Sequence, residues 1–367
     1  FMKKRIFFVL FCFTIFFPKT KGNNGNVVYN DTTKIKSQFL AYPIAFYLPE
    51  TRWGFGGAGF YNFRFKNERS TSNPSQVQFT FSLTQNKQVI MTIPFELYKS
   101  DNLWKFKGEI SYYRYVYNFY GTGLSSRFED KESFKANYPR FRIDVLRRFN
   151  KVFAGVRWRV DNMQIVGKKE NGLLENGDYT GKNGGVISGI GLVAQLDTRD
   201  FIFNPTKGVF METEIFVNDK FTQSNFSYQR FSLDVAKYLR IKQDHTLAFH
   251  VNTAMILGEP IFYDLLYFGS PKLLRGFQDR RFLDKNILVM QGEYRFPIYK
   301  WMQGVSFISG GTVAAAYSDI FKNDYKMSFG AGLRFVLNKK DRVRLRMDYG
   351  RTINEGGALY ITINDAF

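Results

Sequence analysis

Apolar and polar residues alternate one for one along most of this chain, in stretches of about ten residues that recur to its last positions. Val343, Leu345, Met347 and Tyr349 interleave with Arg342, Arg344, Arg346 and Asp348. Phe141, Ile143 and Val145 alternate with Arg140, Arg142 and Asp144, and Val77, Phe79, Phe81 and Leu83 with Gln78, Thr80, Ser82 and Thr84. Successive side chains of a strand project to opposite faces, so each stretch predicts a strand with one apolar and one polar face. Sixteen such strands can be placed, over 40–49, 54–66, 75–84, 88–98, 103–116, 138–149, 151–160, 186–197, 208–218, 227–240, 245–256, 286–296, 305–317, 326–337, 342–350 and 358–366. Turns near 85–87, 99–102, 150, 241–244 and 338–341 are short, whereas 117–137, 161–185 and 257–285 form long loops.

A sandwich or open sheet would have to bury its apolar face against a partner layer. Here the opposite faces are rich in Arg, Asp and Glu, and no helical pattern is available to cover a sheet. An all-β, sixteen-stranded antiparallel transmembrane barrel resolves this, with apolar residues toward lipid and charged ones toward a wet lumen. An even strand number returns both ends of the barrel to the periplasmic side. Pro43, on the first strand, cannot donate a ladder hydrogen bond. In a closed barrel that strand pairs with the last, which makes the seam the weakest joint, unless Pro43 sits at a bulge or points its missing donor away from its neighbour.

Composition supports this reading. The chain has 367 residues with 41 Phe, 22 Tyr and 31 Gly, an aromatic share of 18% that favours strands over helices. A hydrophobic share of 44% excludes disorder. No apolar run after Phe17 reaches the roughly 18 residues of a spanning helix. Lys3-Lys4-Arg5 followed by the apolar run Ile6 to Phe17 reads as a signal peptide over 1–22. A short periplasmic tail over 23–38 and a barrel domain over 39–367 then follow. Cys12, the sole cysteine, lies in the signal segment, so disulfides and thiolate metal sites drop out. The net charge of +20 belongs on an exported chain to a basic lumen or to contact with anionic lipid headgroups, not to nucleic acid.

The inventory for catalysis is poor. His245 and His250 are an odd number of positions apart on one strand and so point to opposite faces. Gly121-Thr122-Gly123-Leu124-Ser125 is a loop fragment without a matched His–Asp pair. The reading is of a protein that is not an enzyme and needs no cofactor or metal.

Three stretches exceed a generic barrel: Asp197-Thr198-Arg199-Asp200 with Asn204-Pro205 and Gly208, then Leu274-Arg275-Gly276-Phe277 in the longest loop, then Gly292-Glu293-Tyr294-Arg295-Phe296-Pro297 on the next strand. In this order and at these positions they resemble the BamA/TamA superfamily of outer-membrane assembly and secretion barrels, also known as bacterial surface antigen barrels. Phe46-Tyr47-Leu48-Pro49-Glu50-Thr51 and the final Phe367 add to the likeness. The resemblance implies that the loop between the eleventh and twelfth strands folds into the lumen, where Arg275 pairs with an inward carboxylate. The residues supply one independently, since Gln291, Glu293 and Arg295 share the face opposite Met290, Tyr294 and Phe296. An Arg can grip a carboxylate through two parallel hydrogen bonds. Ser309 stands where the family's Phe-x-Asp-x-Gly pattern has an Asp, which leaves a second partner for Arg275 missing.

Phe367 ends a strand on which Leu359, Ile361 and Ile363 share its outward parity. It resembles the aromatic signal by which barrels are recognised for insertion, making the protein a client of the barrel assembly machinery. A plain interfacial aromatic would look the same. The 23–38 stretch is too short for a POTRA domain, so cargo capture would need partners, periplasmic proteins or lipoproteins. Two functions follow. One is assisted insertion or export of outer-membrane protein or lipid, in the bacterial outer membrane and together with such partners. The alternative is a passive pore or structural surface barrel without insertase activity.

Overall fold

The computed structural model describes residues 37–48, 52–69, 72–201, 204–338, 343–363 and 366–367. The expected signal segment, most of the expected tail and Pro49-Glu50-Thr51 lie outside the described residues. One antiparallel sheet contains sixteen strands hydrogen-bonded in chain order: β1 (Gln38–Leu48), β2 (Arg52–Phe63), β3 (Ser75–Thr84), β4 (Val89–Lys99), β5 (Trp104–Phe119), β6 (Glu132–Phe149), β7 (Val152–Gly167), β8 (Gly184–Asp197), β9 (Gly208–Asn218), β10 (Tyr228–Lys242), β11 (His245–Gly258), β14 (Asn286–Tyr299), β15 (Met302–Ala314), β16 (Lys326–Asn338), β17 (Val343–Thr352) and β18 (Gly357–Ile363). Each expected strand falls on one of these, with β1 opening at Gln38 inside the expected tail. The missed pair is a small hairpin, β12 (Leu266–Phe268) with β13 (Phe282–Asp284), inside the longest loop.

The partition of side chains is the reverse of a water-soluble domain. Leu83, Trp158, Tyr349, Leu359 and Ile361 are exposed on one face, while Asp144, Arg159, Asp161, Glu214, Glu293, Arg334 and Asp348 are buried on the other. Cross-strand register sets opposite charges side by side, with Arg140 opposite Asp161 and Asp144 opposite Arg157. These pairs are bonded or adjacent: Arg142 reaches Asp161 at 2.7 Å, and Arg157 reaches Asp144 at 2.7 Å.

Strand parity sorts the connections to two ends. Segments 120–131, 168–183, 219–227, 259–285 and 315–325 share one end, the long-loop end, with the shorter 85–88 and 353–356. At the other end lie 64–74, 100–103, 150–151, 198–207, 243–244 and 300–301. The tight turn at 85–88 is therefore with the long loops, against the expectation that all short turns share an end. Bulges at Arg240/Lys242, Pro297/Tyr299 and Val336/Asn338 sit at the short-turn rim, where they add local twist next to the turns, and a further register shift at Lys135/Ala136 lies toward the long-loop end. No bulge occurs at Pro43: the β1–β2 register runs unbroken through Pro43 opposite Gly57.

The inward rows are not polar throughout. On β14, Gln291, Glu293 and Arg295 give way toward the long-loop end to buried Val289 and Ile287. The same change occurs from Arg159 and Asp161 to Met163 on β7. These apolar inward residues are covered by the 259–285 segment in two clusters. In one, Phe262 and Leu265 pack on Phe119, Phe134 and Ile256. In the other, Phe268, Leu274, Phe277 and Phe282 pack on Ala254, Ile287, Val289 and Val313. Strands β5 to β7 are longer than expected for the same reason. Their far ends carry apolar side chains on the inward parity, which broke the apolar-out pattern used to place them.

Candidate functional site: the 259–285 segment on the inner face

The segment descends from β11 and is pinned first by Asp264. Its carboxylate accepts from Arg159 Nη1 and Nη2 at 3.2 and 2.7 Å and from the Tyr228 hydroxyl. Burial alone would push this carboxyl up, but the Arg159 and Arg230 guanidiniums hold it well below the usual carboxylate range. The chain then turns at Gly269 and Ser270, whose amides donate to the Leu273 carbonyl at 3.1 and 2.9 Å. Gln291 on β14 clamps this turn from below, accepting from the Leu274 amide at 3.2 Å and donating to the Lys272 carbonyl at 2.9 Å.

At the tip, Arg275 is fully buried between two carboxylates. Its Nη2 lies 2.8 Å from Glu293 Oε2 on β14, and its Nη1 donates to Asp348 Oδ2 on β17 at 2.7 Å. The guanidinium covers the Phe307 ring, 3.6 Å from the centroid, where the ring's negative face favours a cation. Arg295 and Arg334 flank Glu293 at 2.7 and 3.7 Å, and Arg334 and Arg346 flank Asp348. Buried charges of this kind persist only as a connected set, since an unpaired member is costly. Gly276 follows at φ +117°, a conformation that side-chain-bearing residues avoid. Gly350 on β17 lets the tip approach: a Cβ there would meet the Arg275 carbonyl at 2.7 Å.

The tip also reaches β18. The Gly276 amide donates to the Tyr360 hydroxyl at 2.9 Å, and that hydroxyl donates to the Phe277 carbonyl at 2.9 Å. Further along, Arg281 donates to both oxygens of Glu355 in the β17–β18 turn, at 2.8 and 2.7 Å, and to Ser126 in the 120–131 loop. One segment thus bonds β7 and β10 near its start and β14, β17 and β18 at its tip.

The structure brings Leu274, Arg275, Gly276, Phe277 and Glu293 together as expected. Ser309 is not in contact with Arg275 by any of its hydrogen bonds; its hydroxyl donates to Gln291 Oε1 at 3.2 Å. The second carboxylate comes instead from Asp348, two strands further on. Asp348 stood in the inward row of β17 by alternation, but nothing local in the sequence ties it to a residue more than seventy positions earlier. Tyr360 gave no signal beyond inward parity.

Of the remaining motifs, Asp197 to Gly208 forms the β8–β9 turn at the short-turn end. Asp197 binds Arg199 at 2.6 Å, Asp200 accepts from the Thr206 amide at 2.8 Å, and the Pro205 carbonyl accepts from Arg295 at 3.2 Å. Pro43 is exposed on β1, opposite Gly57 of β2. His245 and His250 do lie on opposite faces of β11, the first bonded to Tyr294 and the second to Asp234 and Gln291. Phe367 departs from expectation. It does not face outward but lies against the inner wall, stacked on His250 at 4.8 Å and 18°, beside Ala236, Tyr238, Ala248 and Phe210. β18 is described to Ile363 and residues 364–365 lie outside the described residues, so parity does not carry from Ile363 to Phe367.

The Omp85 superfamily domain matches residues 47–358. Among solved structures, BamA from Haemophilus ducreyi lacking POTRA domains 1–3 superposes with a TM-score of 0.56 at 12% identity, over 89% of this chain and 69% of that one. CdiB from Acinetobacter baumannii gives 0.56 at 13% identity, over 89% and 59%, and CdiB from Escherichia coli gives 0.61 at 8% identity, over 89% and 62%. The chain thus spans about three-fifths of the length of the two CdiB chains. At these identities the likeness is one of fold. No curated protein matches the chain by sequence.

Proposed function

The chain belongs to the Omp85 superfamily of outer-membrane β-barrel proteins, and on that footing we propose that it assists insertion or export of protein or lipid at the bacterial outer membrane. In this reading β18 closes on β1, the 259–285 segment fills the lumen, and partner proteins in the periplasm or anchored as lipoproteins deliver the cargo. The observation that carries the reading is the double grip of the segment's tip, Arg275 on Asp348 of β17 and Gly276–Phe277 on Tyr360 of β18. A plug that served only to narrow a pore would not need to hold the last two strands. A tip that holds them sets whether the terminal edge is available.

Physical weakness is concentrated at that edge. β18 has 7 residues against 13 in β16, so it contributes fewer ladder bonds. Pro43 on β1 lacks a donor, and Gly56, Gly57 and Gly59 on β2 give the neighbouring wall little bulk. A free edge can accept an extended strand through main-chain hydrogen bonds, and a thin wall lowers the cost of disturbing nearby lipid. Phe367 also makes the chain a client of the barrel assembly machinery in this reading.

The test is reconstitution into proteoliposomes supplied with an unfolded barrel protein, followed by heat-modifiable mobility of the inserted product. At least ten-fold faster insertion than in empty liposomes, with or without added outer-membrane extract, supports the reading. An unchanged rate under both conditions leaves the passive barrel.

A further inference from the structure

We propose that the inner wall of β9–β11 near the short-turn end is a binding seat for an aromatic side chain on an acidic, extended polypeptide segment, and that Phe367 occupies this seat in cis. The proposal rests on the preceding reading, whose cargo it would define. The wall is built for a ring. Ala236 and Ala248, diagonal neighbours on β10 and β11 with Ala236 opposite His250 and Ala248 opposite Tyr238, leave a shallow floor; Tyr238 and Phe210 stand at its sides, and His250 supplies a flat face. That face is held still, since His250 Nε2 is 3.1 Å from Asp234 Oδ1 and Nδ1 is 2.9 Å from Gln291 Nε2. Phe367 stacks on it with the rings 18° from parallel, a geometry that aromatic pairs favour.

The seat opens on a cavity of about 570 Å³ whose wall carries Arg140, Arg142, Arg199, Arg230 and Lys272 against the carboxylates of Asp234 and Asp264. Arg140 and Arg142 share Asp161, Arg199 holds Asp197 and Arg230 holds Glu214, so an acidic residue beside the aromatic would join these ion pairs, and the cavity persists with Ala366 and Phe367 in place among its lining residues. The seat is also connected to the loop. Gln291, which bonds His250, is the residue that clamps the Leu274 amide and the Lys272 carbonyl. An occupant pressing on His250 is therefore one side chain away from the turn that presents Arg275.

The probe is a fluorescein-labelled peptide with the chain's own sequence from Ile361 to Phe367, titrated by anisotropy against the detergent-solubilised full chain. The wild type, with its seat filled, should bind at least ten-fold more weakly than Phe367→Ala. A peptide carrying Ala in place of the aromatic should lose at least ten-fold on the Phe367→Ala protein, as should the wild-type peptide on Phe367→Ala with His250→Ala. If Phe367→Ala fails to show the heat-modifiable mobility of a folded barrel, Phe367→Leu keeps apolar bulk without the ring and serves in its place. Equal affinity for wild type and variant, or affinity indifferent to the peptide's aromatic, overturns the seat. Because the titration requires no insertion activity, a variant that accelerates barrel insertion but binds no peptide refutes the seat alone. Peptide binding by a protein that accelerates nothing refutes the insertion reading and leaves the seat.

Discussion

At the residue scale the molecule turns on Arg275. It is buried between Glu293 and Asp348 with Phe307 beneath it, and removing one partner of such a set leaves another charge stranded, at a cost of about 3–5 kcal/mol. Arg275→Ala should therefore lower thermal stability and raise single-channel conductance in planar bilayers by freeing the tip. Glu293→Ala should do the same, and the double variant should add little to either, because groups in one contact set are not additive. Independent, additive changes would show that the two residues act separately. Gly350→Ala tests the same docking by shape. Its methyl would stand 2.7 Å from the Arg275 carbonyl, and overpacking of this kind costs about 1–3 kcal/mol. The expected result is a destabilised protein with a conductance rise resembling that of Arg275→Ala.

At the element scale the 259–285 segment behaves as a strut with feet on both sides of the inner wall. Its first foot is Asp264, whose carboxyl is held below its ordinary value near 3.8 by Arg159 and Arg230 against the opposing effect of burial. A depressed pKa contributes stability that is present above the unfolded value and lost as pH falls through the folded one. Docking of this foot should hence weaken below about pH 4, seen as growing protease access to the segment. In Asp264→Asn access should be higher at neutral pH and lose that acid dependence. The strands themselves were legible, because period-two alternation survives with charged inward rows on β6, β7 and β17 and an uncharged polar one on β3. The strut was legible only at Leu274-Arg275-Gly276-Phe277 and Glu293. Its hairpin β12–β13 has three residues per strand, too few for a period to register. Its apolar underside, Ile287, Val289 and Met163, sits at inward positions where a wet lumen predicts charge. Asp348 and Tyr360 became partners only through the long-range closure of loop on sheet, for which a single sequence contains no local signal. Phe367 lies beyond the described end of β18 at Ile363, where the strand's parity no longer fixes its face.

At the scale of the whole molecule, the strut ties the middle of the sheet to its last hairpin: β7 and β10 through Asp264, β14 through Glu293, β17 through Asp348 and β18 through Tyr360. The central claim is that this tie, more than the ladder of the short β18 itself, keeps the terminal edge in place. Amide hydrogen exchange on the full chain in lipid nanodiscs measures it directly, since local opening reports the free energy that holds each strand. In Arg275→Ala, with Tyr360→Phe as a second variant that removes only the hydroxyl, amides of Gly357–Ile363 should exchange at least ten-fold faster than in wild type, while those of β5–β11 stay unchanged. Unaltered protection of β18 in both variants, or a loosening spread evenly around the sheet, would contradict the account.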